Sequence, residues 1–128
     1  MEQRTRKVLV IEDDKDIADL VELVLSTNAY DVRTVIEPEK AFDTVKEFRP
    51  DAIILDLMMP KVDGWEIFKM VRNDPELSHI RIAILTAKSQ GFDEMVGLHI
   101  MKAEKYITKP FGKQELLDTI NELFQENE

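Results

Sequence analysis

Apolar positions along the chain alternate between two spacings. A continuous run, "KVLVI" from Lys7 to Ile11, is followed by Ile17, Leu20, Val21, Val24 and Leu25 at offsets 0, 3, 4, 7 and 8. The first spacing is that of a buried strand and the second that of one helix face. The same alternation recurs. "YDVRTVI" predicts a weaker second strand, and Ala41, Phe42, Val45 and Phe48 mark a second helix face that ends at "RPD", where the residue before Pro50 is pushed out of helical geometry. "AIILDL" is the third strand; its helix begins after Gly64, carries Ile67, Phe68 and Val71, and stops at "NDP". "IRIAIL" is the fourth, followed by a helix face of Phe92, Met95, Val96 and either His99 or Ile100. "KYIT" is the fifth, and "KPFGKQELLDTINELF" opens a last helix with Gly112 and Glu115 in the positions of a degenerate capping box.

Strands and helices in strict alternation predict an α/β fold, a five-stranded parallel sheet covered on both faces. Right-handed crossovers leave few strand orders, of which 2-1-3-4-5 is the common one for five strands. In such a sheet ligands gather at the carboxyl ends of the strands, near the point where the winding reverses.

Composition narrows the picture. The chain has 128 residues, 44% apolar and 34% charged, which suits one domain over 1-128 with a core that needs no staples. It has no cysteine, excluding disulfides and thiolate metal sites and agreeing with a reducing compartment. The net charge is -9 with the basic residues scattered, so this domain alone has no attraction for a phosphate backbone and is expected not to bind nucleic acid. The opening "MEQRTRKVLVIEDD" has too short an apolar run for a signal peptide or a membrane span. The expectation is a cytoplasmic protein with no membrane partner.

The chemistry lies where apolar runs meet acids. The first strand ends in Glu12, Asp13 and Asp14, and the third ends in Asp56. In the expected order these strands are neighbours, so at least three carboxylates converge. Two such charges about 4 Å apart repel by roughly 4 kcal/mol at an effective dielectric near ~20. Protonation of one member or a bound cation relieves this. An all-oxygen site with two or three carboxylates favours a hard cation, and magnesium over calcium, placed at Asp13 and Asp56. Thr86 in "LTA" and Lys109 in "ITKP" stand at the same rim. A metal, an ammonium and a hydroxyl around a carboxylate form a receptor for a strongly anionic group, foremost a phosphoryl carried on that carboxylate.

These residues resemble the receiver domain of two-component response regulators, the family of the chemotaxis regulators, with a flavodoxin-like, doubly wound (βα)5 fold. The resemblance rests on "VLVIEDD", "LDLMMPKVDG", "LTA" and "YITKPF", in order, at the ends of four strands. It implies that Asp56 is the phosphoacceptor, taking its phosphoryl group from phosphohistidine on a sensor histidine kinase or phosphotransfer protein. It implies Mg²⁺ bound by Asp13 and Asp56 directly, by Glu12 through water and by the backbone carbonyl of Met58. Thr86 and Lys109 would contact the phosphoryl oxygens, Lys109-Pro110 would be a cis peptide, and Thr86 and Tyr106 would form the switch. The output face would be the fourth predicted helix, the fifth strand and the fifth helix, acting on a downstream target or effector domain. Such a domain catalyses only its own phosphorylation and dephosphorylation and is not otherwise an enzyme.

The chain departs from the family pattern before the switch aromatic. "HIMKAEKY" has Lys102 in a usual glycine position and one extra residue from Gly97. Lys105 and a last helix without arginine lack most of a common dimer's salt-bridge set, so a monomer or weak homodimer is expected. The chain reads either as a free-standing receiver or as one cut from a longer protein. Met58 and Lys88 flank the site at positions expected to affect phosphate lifetime. Plainer readings apply elsewhere: Asp14, Asp16 and Asp63 as caps or turn formers, His79 as solvated, His99 as packed, and Trp65 as a fluorophore near the crevice. Rival functions are a phosphorylation-independent binding receiver, a phosphoryl hydrolase and a flavodoxin-like electron carrier. "EDDKD" is the wrong chemistry for a flavin phosphate, which calls for a Ser/Thr/Gly-rich loop. Met58 stands where the hydrolase would need a second acid.

Overall fold

A computed structural model describes residues 5–87 and 103–125. The elements are β1 (Lys7–Ile11), α1 (Lys15–Ser26), β2 (Asp31–Val35), a 3-10 turn (Pro38–Lys40), α2 (Ala41–Phe48), β3 (Ala52–Asp56), α3 (Gly64–Asn73), β4 (Arg81–Ala87), β5 (Lys105–Lys109) and a C-terminal helix α4 (Lys113–Gln125). The fourth predicted helix, Lys88, and the departures at Gly97 and Lys102 lie outside the described residues.

The strands are all parallel and ordered β2-β1-β3-β4-β5, as the alternation of periods predicts. Side-chain alternation splits the core into two layers. Leu9, Ile11, Ile53, Leu55, Ile82 and Ile84 face α2 and α3. Val8, Val10, Ile54, Ala83, Leu85 and Ile107 face α1 and α4. All five β3 residues are buried, because both faces of this central strand are covered. That is why its sequence reads as an apolar run rather than as an alternation.

Local signals set the helix ends. Asp14 caps α1, its carboxylate accepting from the N–H groups of Asp16 and Ile17 at 3.0 and 3.3 Å. Asp63 caps α3, accepting from the Trp65 N–H at 2.9 Å. Asp16 is not a cap: Asp14 already holds that position, and Asp16 falls in the first turn of α1, where an acid favours the positive end of the helix dipole. Arg49, ahead of Pro50, leaves α2 in the left-handed region with φ 51°. The expected cap before the last helix is present, with the Gly112 N–H donating to Glu115 Oε1 at 3.4 Å.

Gly64 stands at the start of α3, and its φ is not positive. What requires glycine is proximity: a Cβ at this position would lie 2.5 Å from the Asp56 carbonyl oxygen and 2.6 Å from Leu57 Cα. The start of α3 is thereby set against the end of β3, and the Gly64 N–H donates to the Leu57 carbonyl at 3.2 Å. Backbone on both sides cannot yield as a flexible side chain would. Gly64→Ala is therefore expected to cost about 1–3 kcal/mol, read as a lowered urea midpoint; an unchanged midpoint would show that the contact carries no such constraint.

Candidate functional site

Strand register assembles the site. Ile11 lies opposite Leu55, and Asp56 opposite Leu85, so Glu12 and Asp56 emerge side by side at the carboxyl edge, with Thr86 one residue further along β4. Thr86 pairs with Thr108, and Ala87 with Lys109, which brings the lysine to the same edge. Glu12, Asp56 and Thr86 are 0%, 2% and 1% exposed and are the buried polar side chains among the described residues. All three belong to this crevice, and a fold has reason to bury such groups only where something compensates them.

Alternation also separates the roles. Glu12, Asp56 and Lys109 share the parity of Val10, Ile54 and Ile107, the α1/α4 side. Lys109 Nζ accordingly lies 2.8 Å from Glu12 Oε1 and 3.3 Å from Asp56 Oδ2. Thr86 and Tyr106 share the parity of Ile84, and half-buried Tyr106 packs against the α2/α3 layer. The Glu12–Lys109 pair was missed in the sequence; strand parity, once the order is assumed, is the signal that would have found it.

Each acid has a defined setting. Asp56 Oδ1 accepts from the Met58 N–H at 3.0 Å and Oδ2 from Lys109. Glu12 Oε2 accepts from the Asp14 N–H at 3.1 Å. Asp13 is half-buried, and one oxygen from each of Glu12, Asp13 and Asp56 lies within 4.8 Å of the others. Met58 bridges to Asp63 across the following turn, and the residue is 66% exposed. The Lys109-Pro110 bond is cis, as expected.

Among the described residues, three carboxyl groups meet one ammonium in the crevice. Burial, and then contact with the Asp56 carboxylate, push Glu12 up to about 8, with Lys109 pulling the other way. Burial also works against the charge of Lys109, but the Glu12 and Asp56 carboxylates outweigh it and hold the ammonium above the ordinary lysine value. Although Lys109 lies at ion-pair distance, Glu12 Oε1 receives no hydrogen bond of proper angle and is buried. A buried carboxylate oxygen met only by the Lys109 ammonium, beside two more carboxylates, fits a divalent cation with oxygen ligands.

The raised value has a stability consequence. The folded chain binds the Glu12 proton more tightly than the unfolded chain, where the group titrates near 4.5. Its stabilising contribution is complete below that value and is lost as pH rises through about 8. In metal-free buffer the urea midpoint of the wild type should fall between these limits relative to Glu12→Gln. Parallel pH profiles for the two proteins would contradict the assignment.

The response regulator receiver domain family model matches residues 8–121. Among solved structures, a protein of Chloroflexus aurantiacus described as a response regulator is 31% identical with a TM-score of 0.88, the match covering 95% of this chain and 99% of that one. The chemotaxis response regulator CheY4 of Vibrio cholerae is 28% identical with a TM-score of 0.85, over 94% of this chain and 99% of its own. The receiver domain of the Francisella response regulator 1452 is 29% identical with a TM-score of 0.85, over 97% and 100%. Among the described residues no helix is long and apolar enough to cross a membrane. With the strand order and the carboxylate crevice at the sheet edge both in place, the chain belongs to the response regulator receiver domain family of two-component signalling.

Proposed function

We propose that this domain accepts a phosphoryl group on Asp56 from phosphohistidine of a sensor histidine kinase or phosphotransfer protein in the cytoplasm, and passes the signal to a downstream target or effector domain. The observation that carries the reading is the setting of Asp56: buried at the end of β3, fixed by the Met58 N–H and Lys109, with Glu12 and Asp13 oxygens within 4.8 Å.

An Asp56 oxygen forms the new bond to phosphorus as the phosphorus–nitrogen bond breaks and the imidazole departs. The transferring group spreads negative charge over its equatorial oxygens. Magnesium, held by Asp13, Asp56, the Met58 carbonyl and, through water, Glu12, would supply positive charge against those oxygens. Lys109 adds a second positive charge from the β5 side, already within reach of Asp56. The Met58 N–H holds the acceptor carboxylate in one orientation, which lowers the cost of reaching the in-line geometry.

Thr86 then donates its hydroxyl to a phosphoryl oxygen. Thr86 and Tyr106 lie on adjacent strands and on the same face of the sheet, so a movement of the threonine opens space that the tyrosine ring fills. Sub-ångström shifts of this kind become a two-state change because a packed face is bistable.

The test is intact mass after incubation with acetyl phosphate, with Mg²⁺ and with chelator, on wild type and Asp56→Asn. A single phosphoryl adduct that needs Mg²⁺ and is absent from the variant is expected. Folded wild type without an adduct would instead leave a receiver that binds partners independently of phosphorylation.

A further inference from the structure

Helix α3 touches two places that the switch must connect. Its first residue, Gly64, lies against the Asp56–Leu57 backbone with no room for a Cβ. Near its other end, about 12 Å further along the helix axis, Arg72 reaches across to the entrance of β5. The Arg72 guanidinium donates to the carbonyls of Ser78 and Ile80 and pairs with the Glu104 carboxylate. It also lies over the Phe68 ring, 5.0 Å from the centroid, which fixes its plane.

Glu104 is more than a surface partner. Its Oε1 accepts from the Ile82 N–H at 2.7 Å, and its own N–H donates to the Ile82 carbonyl at 3.2 Å. The residue thus continues the β4–β5 ladder one step ahead of Lys105, using its side chain where a strand would use backbone. The Arg72 and Glu104 side chains are only 19% and 32% exposed, so solvent and salt screen the pair less than an open surface bridge. On the other face, Lys105 pairs with Glu122 of α4 at 3.3 Å.

β5 is an edge strand whose sheet neighbour is β4. It is tied at one end by Lys109 to Glu12 and Asp56 and at the other by Glu104 to Ile82 and Arg72. Tyr106 lies between these ties, opposite Ile84.

We propose that α3 is a strut between the acceptor loop and β5, with Arg72 and Glu104 as positioning residues that set the environment of Tyr106. A displacement of the Asp56–Leu57 backbone is passed through Gly64 to the helix and through the Arg72–Glu104 pair to the start of β5. This link works in parallel with Thr86 and rests on the phosphoacceptor reading above. The two arrangements it requires are the pair closed, holding the start of β5 against β4, and the pair open, releasing Tyr106.

The test uses the full chain labelled with 3-fluorotyrosine, followed by fluorine NMR before and after acetyl phosphate with Mg²⁺. The chain has two tyrosines, and Tyr30, stacked on Phe124 with centroids 5.8 Å apart, reports folding away from the site. In wild type the Tyr106 signal should move while Tyr30 stays in place. Arg72→Gln and Glu104→Gln should still take the phosphoryl adduct by mass and keep the Tyr30 signal. Each should shift the balance between the two Tyr106 environments by ~3-fold or more, within the range such networks carry. The double variant should do no more than Arg72→Gln alone, because Glu104→Gln removes only the Arg72–Glu104 contact that Arg72→Gln has already broken.

A full wild-type Tyr106 response in both variants, or additive effects in the double, would overturn the strut while leaving the acceptor reading intact. Absence of an adduct on wild type would remove the acceptor reading and the strut with it. Should Arg72→Gln lose the Tyr30 signal, Glu104→Gln decides, since an amide oxygen can keep the Ile82 bond while losing the charge; Arg72→Lys, which keeps charge without the forked geometry, gives the second reading.

Discussion

The structure is organised around a repulsion. Carboxylate oxygens of Glu12, Asp13 and Asp56 lie within 4.8 Å of one another, with the Lys109 ammonium as the adjacent positive charge. At that separation a pair of unit charges costs roughly 3.5 kcal/mol at an effective dielectric of about 20, and without a cation Glu12 escapes its share by holding its proton up to about pH 8. Two of these acids are buried, so solvent does little to screen them. A fold that relaxed freely would turn them outward, and here strand register and the start of α3 keep them in place.

The scaffold's other features serve that constraint. β3 is central and covered on both faces, so its last residue is held as firmly as its core. The next backbone N–H groups fold back onto the acids, Met58 onto Asp56 and Asp14 onto Glu12. Gly64 presses α3 against the same backbone. The edge strand β5 brings the compensating lysine and is fastened at its far end to α3 through Glu104 and Arg72. Asp56 and the edge strand are therefore mechanically close, although Asp56 and Lys109 are 53 residues apart in the chain.

Much of this was legible in the sequence, for identifiable reasons. The continuous runs at Lys7–Ile11 and Ala52–Asp56 could be read as buried parallel strands because both faces are covered. Handedness of crossovers left few orders, of which the common one holds, and the acids were legible from their places at strand ends. Asp14 and Asp63 could be read as caps because capping is local, within two or three residues. What was not legible depends on distance through space. The Glu12–Lys109 pair needs strand parity across two neighbouring strands. The role of Gly64 needs the approach of two backbones, and a glycine in a turn looks the same whether it supplies freedom or room. The Arg72–Glu104 pair spans 32 residues and leaves no periodic trace.

A site held in place against its own repulsion is destabilising, and the proposed cation would relieve it. That is the relation expected of a functional site carried by an otherwise consistent fold. The most direct measurement is the unfolding free energy of wild type and Asp56→Asn in chelator and again in Mg²⁺. In chelator the variant should be more stable, by on the order of 1 kcal/mol, because it removes one of the crowded acids and keeps an oxygen for the Met58 N–H. In Mg²⁺ the advantage should shrink or reverse as the cation favours the intact set. A variant less stable than wild type in chelator would show that the carboxylates support the fold rather than strain it, and would contradict the account.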